Sequence, residues 1–489
     1  MTIQSRSLAE LLPELVDSEA GACVVTGISQ DSRQIAAGDL FCARAGGQYK
    51  GIDFVADAIE KGAAAVLIDS LEQWAEPSPV PVIAVEQLAQ RLSGIAGHFF
   101  GEPSSALKMI GITGTNGKTS CSHFLAQSLN HLGLRTAIVG TVGNGFPDAL
   151  QSATHTTPDA VGLQRLLAEF VQQGADAVVM EVSSHALDQY RVAGLSFDVA
   201  AFTNLSRDHL DYHGSMDEYG AAKARLFHDL APAHAVINAD DQFGQVLLER
   251  FAEDASALGF GEDAGELRAV EICLQKSGIV ARLKTPWGDI ALDTQVVGQF
   301  NVSNLLLTTA VLGAMGFDAA KIQQQLTVLT PVPGRMQCLG DDTQPLVVVD
   351  YAHTPDALEK ALNASRQHTP GRLICVFGCG GDRDTGKRPE MGRIAACLAD
   401  VIYVTSDNPR TEDPRQIIDM ILPGCTDMKS VTAVIDREQA IRDAVLVAGK
   451  DDVVLVAGKG HEDYQEIMGQ RQPFDDVQVA KAALQEWRA

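Results

Sequence analysis

The stretch 111–120 reads Gly-Ile-Thr-Gly-Thr-Asn-Gly-Lys-Thr-Ser, and it constrains the fold more than any other part of this chain. Before it, an apolar run from Leu107 to Ile112 predicts a strand. After it, apolar positions from Ser120 to Leu132 are spaced as on one side of a helix. A strand, a glycine-rich turn and a helix start together predict a phosphate-binding loop, because backbone N–H groups and the positive helix end meet the phosphates.

The side chains of this loop suit a nucleoside triphosphate. Lys118 is placed to reach the outer phosphates, and the hydroxyl of Thr119 can hold Mg²⁺. The spacing departs from the common G-x-x-x-x-G-K-S/T pattern, since Gly114 lies only three residues before Gly117. A purely structural turn is therefore the alternative. The two glycines, the Lys-Thr pair and the strand–helix context all occur together in this stretch. We therefore predict ATP binding by Gly114, Thr115, Asn116, Gly117, Lys118, Thr119 and Ser120.

Charge and composition narrow the functional classes. The 489 residues predict about three domains, and 46 % hydrophobic residues are ample for their cores. A net charge of −25 argues against nucleic acid, which needs a basic face, but does not exclude small anionic substrates. Nine cysteines without a CxxC pair indicate reduced thiols and no zinc site. We find no signal peptide and no apolar run long enough for a membrane span, and expect a cytoplasmic monomer without membrane insertion.

Short β-branched runs alternate with helical stretches along most of the chain. This alternation predicts an α/β protein whose mainly parallel sheets carry helices on both faces. The ten clearest runs are Ala64–Asp69, Val80–Val85, Ala137–Gly140, Ala177–Glu181, Val199–Asn204, His234–Asn238, Leu346–Tyr351, Leu373–Gly378, Asp400–Ser406 and Asp452–Ala457.

Two stretches look like joints between domains. One ends in Gly101–Ser105, just before the phosphate-loop strand, and the other is the Pro/Gly-rich turn Thr330–Arg335. We therefore predict three domains: a small N-terminal α/β domain at 1–88, a central phosphate-loop domain at 89–333, and a C-terminal Rossmann-like domain at 334–489.

Two strand ends in the central domain carry polar groups. The run Ala177–Glu181 ends in a carboxylate, where nucleotide-using enzymes place a metal-holding acid. The run Val199–Asn204 leads into a dense polar stretch that includes His209. Alone, His209 would be interpreted as a capping or core histidine. After an acidic strand end and a phosphate loop, it becomes a candidate metal ligand.

These motifs resemble the Mur ligases of bacterial cell-wall synthesis. The resemblance lies in the loop Thr113–Thr119, in Glu181 with the serines that follow, and in His209 within Asp-His-Leu-Asp-Tyr-His-Gly. It continues in Phe300–Asn304, Asp350–Asp356, Gly381–Pro389 and Asp407–Arg410. Nearly the whole chain is covered, most weakly at 1–25 and 240–295. The motifs of the third domain resemble the branch of the family that adds meso-2,6-diaminopimelate.

The resemblance implies an ATP-dependent ligase that adds meso-diaminopimelate to the D-Glu carboxylate of UDP-N-acetylmuramoyl-L-Ala-D-Glu during peptidoglycan precursor synthesis. In the implied reaction ATP phosphorylates that carboxylate, an amine attacks the acyl phosphate, and a tetrahedral intermediate expels phosphate. Bringing anions together in this way requires Mg²⁺ and Lys or Arg rather than a protein nucleophile. Mn²⁺ stays open as an alternative metal.

The resemblance also implies the catalytic residues. Lys118 holds the β- and γ-phosphates, Thr119 and Glu181 bind one Mg²⁺, and His209 with Glu181 helps to hold a second. Lys223 matches the family lysine that carries a CO₂-derived carbamate, whose oxygens support a metal. The spacing around Lys223 would by itself favour an exposed helix lysine.

The base and ribose of ATP are implied to meet Asn301, Arg335, Asp350 and His353. Closure of the third domain about the joint near Arg335 then becomes part of the mechanism. Asn301 and Asn304 are equally compatible with ordinary polar residues at a helix start.

The sugar nucleotide is implied to bind the first domain and part of the second. Ser32, Gly47, Gln48 and Tyr49 match the family's uridine and diphosphate region, although a plain β-turn has the same composition. The residues implied to hold the muramoyl dipeptide are His155, Thr156, Thr157, Ser183, Gln189 and Arg191. A guanidinium at Arg191 suits an anionic group of the substrate.

The amino-acid pocket is implied to follow the strand at 401–406, at the sheet edge where open α/β sheets bind ligands. Its residues are Arg383, Asp407, Asn408, Pro409, Arg410, Gly458 and Glu462. Arg410 is expected to fork onto the distal carboxylate, while Asp407, Asn408 and Glu462 accept from the ammonium. The alternative is a proline-containing turn with solvated charges.

Two other functions stay open from the sequence. Folylpolyglutamate synthetase has a similar ATP loop and domain order, but its substrate has no UDP, and Asp407–Arg410 argues against it. A non-enzymatic nucleotide switch would leave the charged cluster of the third domain without a purpose.

Overall fold

The computed structural model of the chain describes residues 5–44, 50–70, 74, 77–153, 155–251, 256–275, 278–341, 343–426 and 430–488. The chain divides into two compact units. Unit 1 comprises Met1–Phe260 with Ala310–Gly316, and unit 2 comprises Gly261–Thr309 with Phe317–Ala489.

Unit 1 begins with a small parallel sheet. An antiparallel ribbon of β1 (Arg6–Ser7) and β2 (Val24–Val25) precedes four parallel strands that pair in chain order: β3 (Gly27–Ser29), β4 (Asp39–Ala43), β5 (Ala65–Ile68) and β6 (Val82–Ala84). The helices are α1 (Leu8–Leu11), α2 (Val55–Glu60) and α3 (Leu88–Phe100). Short 3₁₀ turns lie at Pro13–Leu15, Ala20–Ala22, Ser32–Gln34, Gly51–Phe54 and Pro103–Ala106.

The second sheet of unit 1 carries the phosphate loop. Its strands are β7 (Lys108–Thr113), β8 (Thr136–Val139), β9 (Asn144–Gly145), β10 (Ala177–Glu181), β11 (Val199–Phe202), β12 (His234–Asn238) and β13 (Ala257–Gly261). They are ordered β13-β12-β11-β7-β10-β8-β9, and all pair in parallel except β9. The helices are α4 (Lys118–His131), α5 (Ala160–Gln172), α6 (Ser184–Asp188), α7 (Leu210–His213), α8 (Met216–His228) and α9 (Gln242–Glu249).

Strand β7 is the centre of this sheet, because it pairs with both β10 and β11. Parallel strands end at one edge, so the loops that follow these three strands lie together there. The phosphate loop, the acidic end of β10 and the polar stretch after β11 therefore share one edge of the sheet.

The phosphate loop depends on glycine at two positions. Gly114 has φ +140°, and a Cβ there would lie 1.9 Å from Thr203 Oγ1. Gly117 takes a left-handed conformation and turns the chain directly into α4. For this reason the helix begins at Lys118, two residues before the predicted start at Ser120.

Unit 2 contains an antiparallel segment that the sequence analysis did not predict. Strands β14 (Leu267–Gln275), β15 (Gly278–Lys284) and β16 (Ile290–Thr294) pair in that order. Burial alternates strictly along β16, as expected for a sheet with one covered face. Two helices follow, α10 (Phe300–Ala314), whose residues from Ala310 onward are assigned to unit 1, and α11 (Ala319–Thr327).

The remainder of unit 2 is a six-stranded sheet. Its strands are β17 (Gln337–Leu339), β18 (Leu346–Asp350), β19 (Leu373–Phe377), β20 (Val401–Val404), β21 (Val431–Ala433) and β22 (Val453–Ala457). The order is β17-β18-β22-β19-β20-β21, parallel except for β17. A ribbon of β23 (Tyr464–Ile467) and β24 (Gln470–Pro473) follows, and the helices are α12 (Pro355–Gln367), α13 (Lys387–Leu398), α14 (Pro414–Ile421), α15 (Arg437–Val447) and α16 (Asp476–Glu486), with a 3₁₀ turn at Leu422–Cys425.

Both faces of this sheet are covered. Val348 and Cys375 belong to one apolar cluster with residues of α12, α13 and α14. Their neighbours Val347 and Ile374 belong to a second cluster with residues of α15 and α16. Successive strand residues thus point into opposite cores, which explains why the strands are continuous apolar runs.

The α/β class with mainly parallel sheets is confirmed. Each of the ten predicted runs overlaps a strand of a parallel sheet. The proposed domain boundaries at 88/89 and 333/334 stay predictions. In the described part of the chain, no helix is long and apolar enough to cross a membrane.

Candidate active site

Glu181, at the end of β10, is the centre of a hydroxyl cluster in unit 1. Thr119 Oγ1 donates to both Glu181 Oε1 and Oε2, at 3.0 Å each. Thr141 adds its backbone N–H to Oε1 at 2.9 Å and its hydroxyl to Oε2 at 3.1 Å. Gly140 keeps this side open, because a Cβ there would lie 2.3 Å from Oε1. The buried carboxylate is therefore held directly beside the phosphate loop.

Two ammonium groups converge on the loop carbonyl of Gly114. Lys118 Nζ donates to the carbonyl oxygens of Gly114 and Thr115 at 2.9 Å each. Lys223 Nζ donates to the same Gly114 oxygen at 2.8 Å. Lys223 is only 1 % exposed, which excludes the alternative of an exposed helix lysine that the spacing alone would favour. Burial lowers the pKa of Lys223 well below its ordinary value, and the nearby charge of Lys118 lowers it further.

The aromatic ring of Tyr219 packs over the side chain of Lys223. The ring of Tyr219 lies 4.3 Å from Lys223 Nζ, and its hydroxyl lies 3.2 Å from Thr115 Oγ1. Thr115 Oγ1 in turn donates to the carbonyl of Ser206, in the loop after β11. The same loop holds the backbone of Asn116, whose N–H donates to the Asn204 side chain at 3.0 Å. The phosphate loop is thus tied on one side by the polar stretch that follows β11.

His209 immediately precedes α7 and takes a left-handed conformation, with φ +53°. Its ring lies 4.9 Å from the ring of His185 and 6.1 Å from that of Tyr219. Its side chain is 49 % exposed and lies 3.4 Å from Asp208. Burial lowers the pKa of His185, and the charges of His209 and His213 act in the same direction. His209 therefore lies near the Tyr219 ring that packs over Lys223, and it is accessible to solvent.

The donors of this region suit a hard cation. Among the described residues, no group of three or more His, Cys, Asp and Glu side chains is arranged to hold a metal. Mg²⁺ does not require such a cage, since it commonly takes one or two protein oxygens together with substrate phosphates and water. The Thr119 hydroxyl and the Glu181 carboxylate, beside a phosphate loop, are such oxygens.

The residues predicted for the muramoyl dipeptide lie next to Glu181. Thr157 Oγ1 donates to the Glu181 carbonyl at 2.8 Å and accepts from the Ser183 N–H at 3.1 Å. Thr156 Oγ1 lies 3.0 Å from Thr141 Oγ1. Arg191 Nη1 donates to the Thr157 carbonyl at 2.8 Å. His155 precedes them, exposed to solvent.

A cleft of about 880 Å³ opens between the first sheet of unit 1 and the segment after β10. It contains two of the predicted residues, Ser32 and Gln189, and also Asp159 and Tyr212. Gln189 lies at its edge, where its Oε1 accepts from Arg191 Nη2 at 2.7 Å and its Nε2 donates to the Tyr212 hydroxyl at 3.1 Å. Gly47, Gln48 and Tyr49 lie outside the described residues.

Arg44 is a cleft residue that the sequence analysis missed. It lines the cleft, and its Nε is buried without a hydrogen-bond partner among the described residues. Burial lowers the pKa of Arg191, and the positive charge of Arg44 lowers it further. The positive charges of Arg44 and Arg191 therefore act against one another. The only sequence signal was a basic residue directly before the glycine-rich stretch.

In unit 2, Arg335 lies against the segment that follows β18. Its guanidinium lies 4.9 Å from the ring of Tyr351, and its Nε is buried without a partner among the described residues. The partly buried Asp350 accepts from the N–H groups of Met336 at 2.8 Å and Ala352 at 2.9 Å. Burial raises the pKa of Asp350, whereas Arg335 lowers it. His353 packs on Tyr351 at 4.6 Å between ring centroids.

Asn301 lies in the first turn of α10 and is buried. Its Nδ2 donates to the Val297 carbonyl at 2.7 Å, and its Oδ1 accepts from Asn304 Nδ2 at 2.7 Å. The polar groups of this helix start are therefore bound to one another.

Arg410 lies on the loop after β20 with φ +50°. Its Nη1 donates to the Gly381 carbonyl at 2.7 Å, and its Nε lies 3.7 Å from Glu466 Oε2. A Cβ added at Gly380 would lie 2.9 Å from Arg410 Nη1 and 3.8 Å from Arg383 Cγ. The two arginines predicted for the amino acid thus flank the same glycine.

The other predicted pocket residues lie close to one another around the loop after β20. Asn408 Nδ2 donates to Glu462 Oε2 at 2.8 Å. Gly458 has φ +124°, and a Cβ there would lie 2.9 Å from Asp407 Oδ2. Burial raises the pKa of Asp407, whereas the positive charges of Arg437 and Lys459 lower it in part. Pro409 follows Asn408 in the loop, and its carbonyl oxygen would lie 2.0 Å from a Cβ at Gly381.

A phosphate loop facing the buried acid Glu181, the half-buried Lys118 and the buried Lys223, on a central parallel sheet, defines an α/β enzyme that uses a nucleoside triphosphate. Three family models match the chain: the Mur ligase family catalytic domain at 24–100, the Mur ligase middle domain at 112–312 and the Mur ligase glutamate ligase domain at 334–460. The chain belongs to the Mur ligase family.

Relatives match nearly the whole length of the chain. A protein of Ectopseudomonas mendocina is 50 % identical over 483 residues, which are 98 % of this chain and 99 % of the relative. One of Pseudomonas aeruginosa is 51 % identical over 467 residues, which are 95 % and 96 % of the two chains. Both are named UDP-N-acetylmuramoyl-L-alanyl-D-glutamate–2,6-diaminopimelate ligase.

Solved structures agree with this grouping. A structure of a ligase of the same name matches with a TM-score of 0.77 at 36 % identity, covering 99 % of both chains. A folylpolyglutamate synthase of Mycobacterium tuberculosis has a TM-score of 0.60 at 20 % identity, covering 76 % of this chain and 92 % of that chain. The second likeness is one of fold alone.

Proposed function

We propose that the chain joins meso-2,6-diaminopimelate to the D-Glu carboxylate of UDP-N-acetylmuramoyl-L-Ala-D-Glu, converting ATP to ADP and phosphate in peptidoglycan precursor synthesis. The observation that carries the proposal is about 50 % identity, over nearly both full lengths, to relatives that bear this name. The proposal divides the work between three domains, at 1–88, 89–333 and 334–489.

The first step is an in-line phosphoryl transfer. An oxygen of the D-Glu carboxylate attacks the γ-phosphorus, the bond to the β-phosphate oxygen breaks, and ADP leaves. Lys118 exchanges its two loop carbonyls for β- and γ-phosphate oxygens, while the N–H groups at the start of α4 bind the remaining ones. Thr119 and Glu181 would hold Mg²⁺, and His209 a second ion. Mg²⁺ supplies charge neutralisation of the phosphates.

Lys223 is proposed to carry a carbamate. A carbamate forms when an uncharged amine attacks CO₂, and burial favours the uncharged amine of Lys223. The modified side chain would replace a buried amine with an anion that can support a cation bound beside Glu181. Its location at the Gly114 carbonyl, 2.8 Å away, supports a role next to the phosphates.

The sugar nucleotide is proposed to occupy the cleft of unit 1. Ser32 would contact the uridine end, and the paired cations Arg44 and Arg191 would bind anionic groups. Their mutual repulsion supports this assignment, because an anion between them would relieve it. Thr157 and Ser183 would orient the dipeptide toward Glu181, to which Thr157 is already bonded.

The second step forms the amide. The uncharged amine of the incoming amino acid attacks the carbonyl carbon of the acyl phosphate and then loses a proton. The tetrahedral intermediate collapses by breaking the carbon–oxygen bond to phosphate. Arg410 and Arg383 would bind the carboxylate at the far end of the amino acid, and Asn408 with Glu462 its ammonium. Asn301, Arg335, Asp350 and His353 would contact the base and ribose of ATP.

The proposal is tested by measuring phosphate release from ATP with purified enzyme and UDP-N-acetylmuramoyl-L-Ala-D-Glu while the amino acid is varied. We expect release only with meso-diaminopimelate present, and one tripeptide formed per phosphate. A folate acceptor with L-glutamate serves as the control for the related ligase chemistry. Amino-acid-independent ATP turnover, or equal rates with the folate pair, would overturn the proposal.

A further inference from the structure

Lys459 is a fully buried lysine of unit 2 to which none of the preceding predictions gives a role. It follows β22 and the left-handed Gly458, and its side chain is 0 % exposed. An unpaired charge in such a place is strongly unfavourable, so its partners indicate what holds it there. Lys459 Nζ donates to Asn408 Oδ1 at 2.9 Å and to Glu462 Oε2 at 3.1 Å, and lies 3.8 Å from Asp407 Oδ1.

All three partners belong to the proposed amino-acid pocket. The amide of Asn408 is fixed in one orientation, because its Oδ1 faces two donors, Lys459 Nζ and the Glu466 N–H at 3.0 Å. Its Nδ2 must then point to Glu462 Oε2, 2.8 Å away. Without the ammonium, Asn408 loses one of the two donors that set this orientation.

Glu462 is held through a single oxygen. Oε2 accepts from both Lys459 and Asn408, whereas Oε1 has no hydrogen-bond partner in the part of the chain that the structure describes. The side chain is 19 % exposed, so this second oxygen is open to a ligand. The bonds to Oε2 therefore fix the orientation of Glu462, and its Oε1 stays available to a ligand.

The charges around Lys459 do not balance. Arg437 and Asp476 form a fully buried pair at 2.7 Å and cancel. Arg437 also acts on Asp407, but counted together the two cations Arg437 and Lys459 face three carboxylates, which leaves one formal negative charge in the group. A single ammonium of a ligand would complete it. Removing Lys459 would leave two negative charges and a misoriented Asn408.

We propose that Lys459 is a positioning residue of the amino-acid pocket. Its ammonium holds Asn408 and Glu462 so that Glu462 Oε1, and one net negative charge, face the ammonium of the incoming amino acid. The inference rests on the proposed function for the identity of that amino acid. Lys459 acts through its neighbours and touches no reacting atom.

Lys459→Met tests the inference, because methionine fills the same space without charge. We expect the KM for meso-diaminopimelate to rise about 10- to 100-fold, which corresponds to a charged hydrogen bond. The KM values for ATP and the sugar nucleotide should stay within about threefold, and kcat should change less than the amino-acid KM. Lys321→Met is the matched control, since it removes an exposed ion pair with Asp318 in the same unit.

A double-variant cycle separates positioning from mere stability. If Lys459 acts through Glu462, Lys459→Met combined with Glu462→Gln should raise the amino-acid KM no further than the worse single variant. Independent roles would multiply the two effects. The double variant also leaves no unpaired buried charge at position 462. The KM for the amino acid can therefore still be measured with it if Lys459→Met alone folds poorly.

Two results would overturn the inference while leaving the proposed function intact. One is a folded Lys459→Met enzyme with wild-type KM for meso-diaminopimelate. The other is an equal rise in KM for all three substrates, which would indicate a structural role only. Failure of the wild-type enzyme to use meso-diaminopimelate at all would instead overturn the proposed function.

Discussion

Thr119 donates its hydroxyl hydrogen to both carboxylate oxygens of Glu181, at 3.0 Å each. The two residues come from neighbouring strand ends, since β7 leads into the phosphate loop and β10 ends at Glu181. Because the Thr119 hydroxyl bonds to both oxygens, it fixes the orientation of the Glu181 carboxylate relative to the phosphate loop before a ligand binds. Electrostatic preorganisation of this kind costs no rearrangement during the reaction.

Glu181→Gln should therefore damage catalysis more than folding. We expect kcat/KM to fall on the order of 100- to 1000-fold, because the charge that would hold Mg²⁺ is lost. The concentration of Mg²⁺ needed for half-maximal activity should rise. Thermal unfolding should change little, since the amide oxygen still accepts from Thr119 or Thr141. Unchanged Mg²⁺ dependence would argue against a metal-holding role.

Lys223→Ala should be inactive and regain activity with a short added carboxylate. The substitution removes the amine that is proposed to carry the carbamate and leaves a space beside the Gly114 carbonyl. Acetate or formate can place an oxygen pair there. The measurement is the rate of phosphate release against carboxylate concentration, with chloride at equal ionic strength as the control. Full activity of the variant without any additive would contradict the carbamate.

Arg44→Gln should weaken binding of the sugar nucleotide. We expect the Kd of UDP to rise about 10- to 100-fold, as for the loss of a charge-assisted hydrogen bond, while that of uridine stays the same. Arg33→Gln is a matched control, because Arg33 lines the same cleft but already pairs with Asp31 at 2.8 Å. Equal effects of the two variants on UDP would indicate long-range charge rather than contact. Titration calorimetry distinguishes these outcomes.

The local signals in the sequence predicted much of the site. Local sequence patterns predicted the phosphate loop, Glu181 and the ten parallel runs. These patterns are glycines before a Lys-Thr pair, an acidic residue after an apolar run, and alternating strand and helix stretches. Thr156, Thr157 and Ser183 were predicted from the family resemblance alone, because no local pattern marks them as site residues.

Long-range contacts were beyond the sequence. Lys459 meets Asn408 across 51 residues only because β22 lies next to β19 and β19 next to β20. Lys223 was expected to be exposed on spacing alone, because nothing local shows that Tyr219 covers it. The strands β14–β16 were missed although β16 alternates, since the segment offers no long apolar run.

His368 should make unit 2 sensitive to acid. Its Nε2 accepts from the Gly298 N–H at 2.8 Å, and its Nδ1 donates to the Gln275 carbonyl. Burial lowers the pKa of His368, so the unfolded chain takes up a proton at a higher pH than the folded one. The stabilisation is complete above about pH 6.5, the ordinary histidine pKa, and declines as the pH falls below it.

The test for His368 compares wild type with His368→Gln at pH 7.5 and pH 5.5. We expect the variant to be less stable at pH 7.5 by about 1–3 kcal/mol, the range for an unsatisfied buried group. Its melting temperature should fall less than that of wild type between the two pH values. Hydrogen exchange of the segment around Gly298 should show the same pattern. An equal decline in both proteins would exclude His368 as the source.

Arg410 should decide between meso-diaminopimelate and L-lysine, which lacks the distal carboxylate. Arg410 is only partly committed within the protein, to the Gly381 carbonyl and, at 3.7 Å, to Glu466. A substrate carboxylate would satisfy the rest of its guanidinium, whereas lysine would leave it unpaired in a closed pocket. Sites built around a polar group of the substrate reject the analogue without it by about 10⁴-fold or more. We expect a discrimination of this size in kcat/KM for the wild-type enzyme.

Arg410→Ala should abolish most of that preference by losing meso-diaminopimelate rather than by gaining lysine. Arg415→Ala is the control, because Arg415 is exposed and pairs with Asp419 on α14. The kcat/KM for both amino acids is measured in all three proteins, at saturating ATP and sugar nucleotide. If Arg410→Ala still prefers meso-diaminopimelate as strongly as wild type does, the distal carboxylate is bound elsewhere, and Arg383 beside Gly380 is the next residue to test.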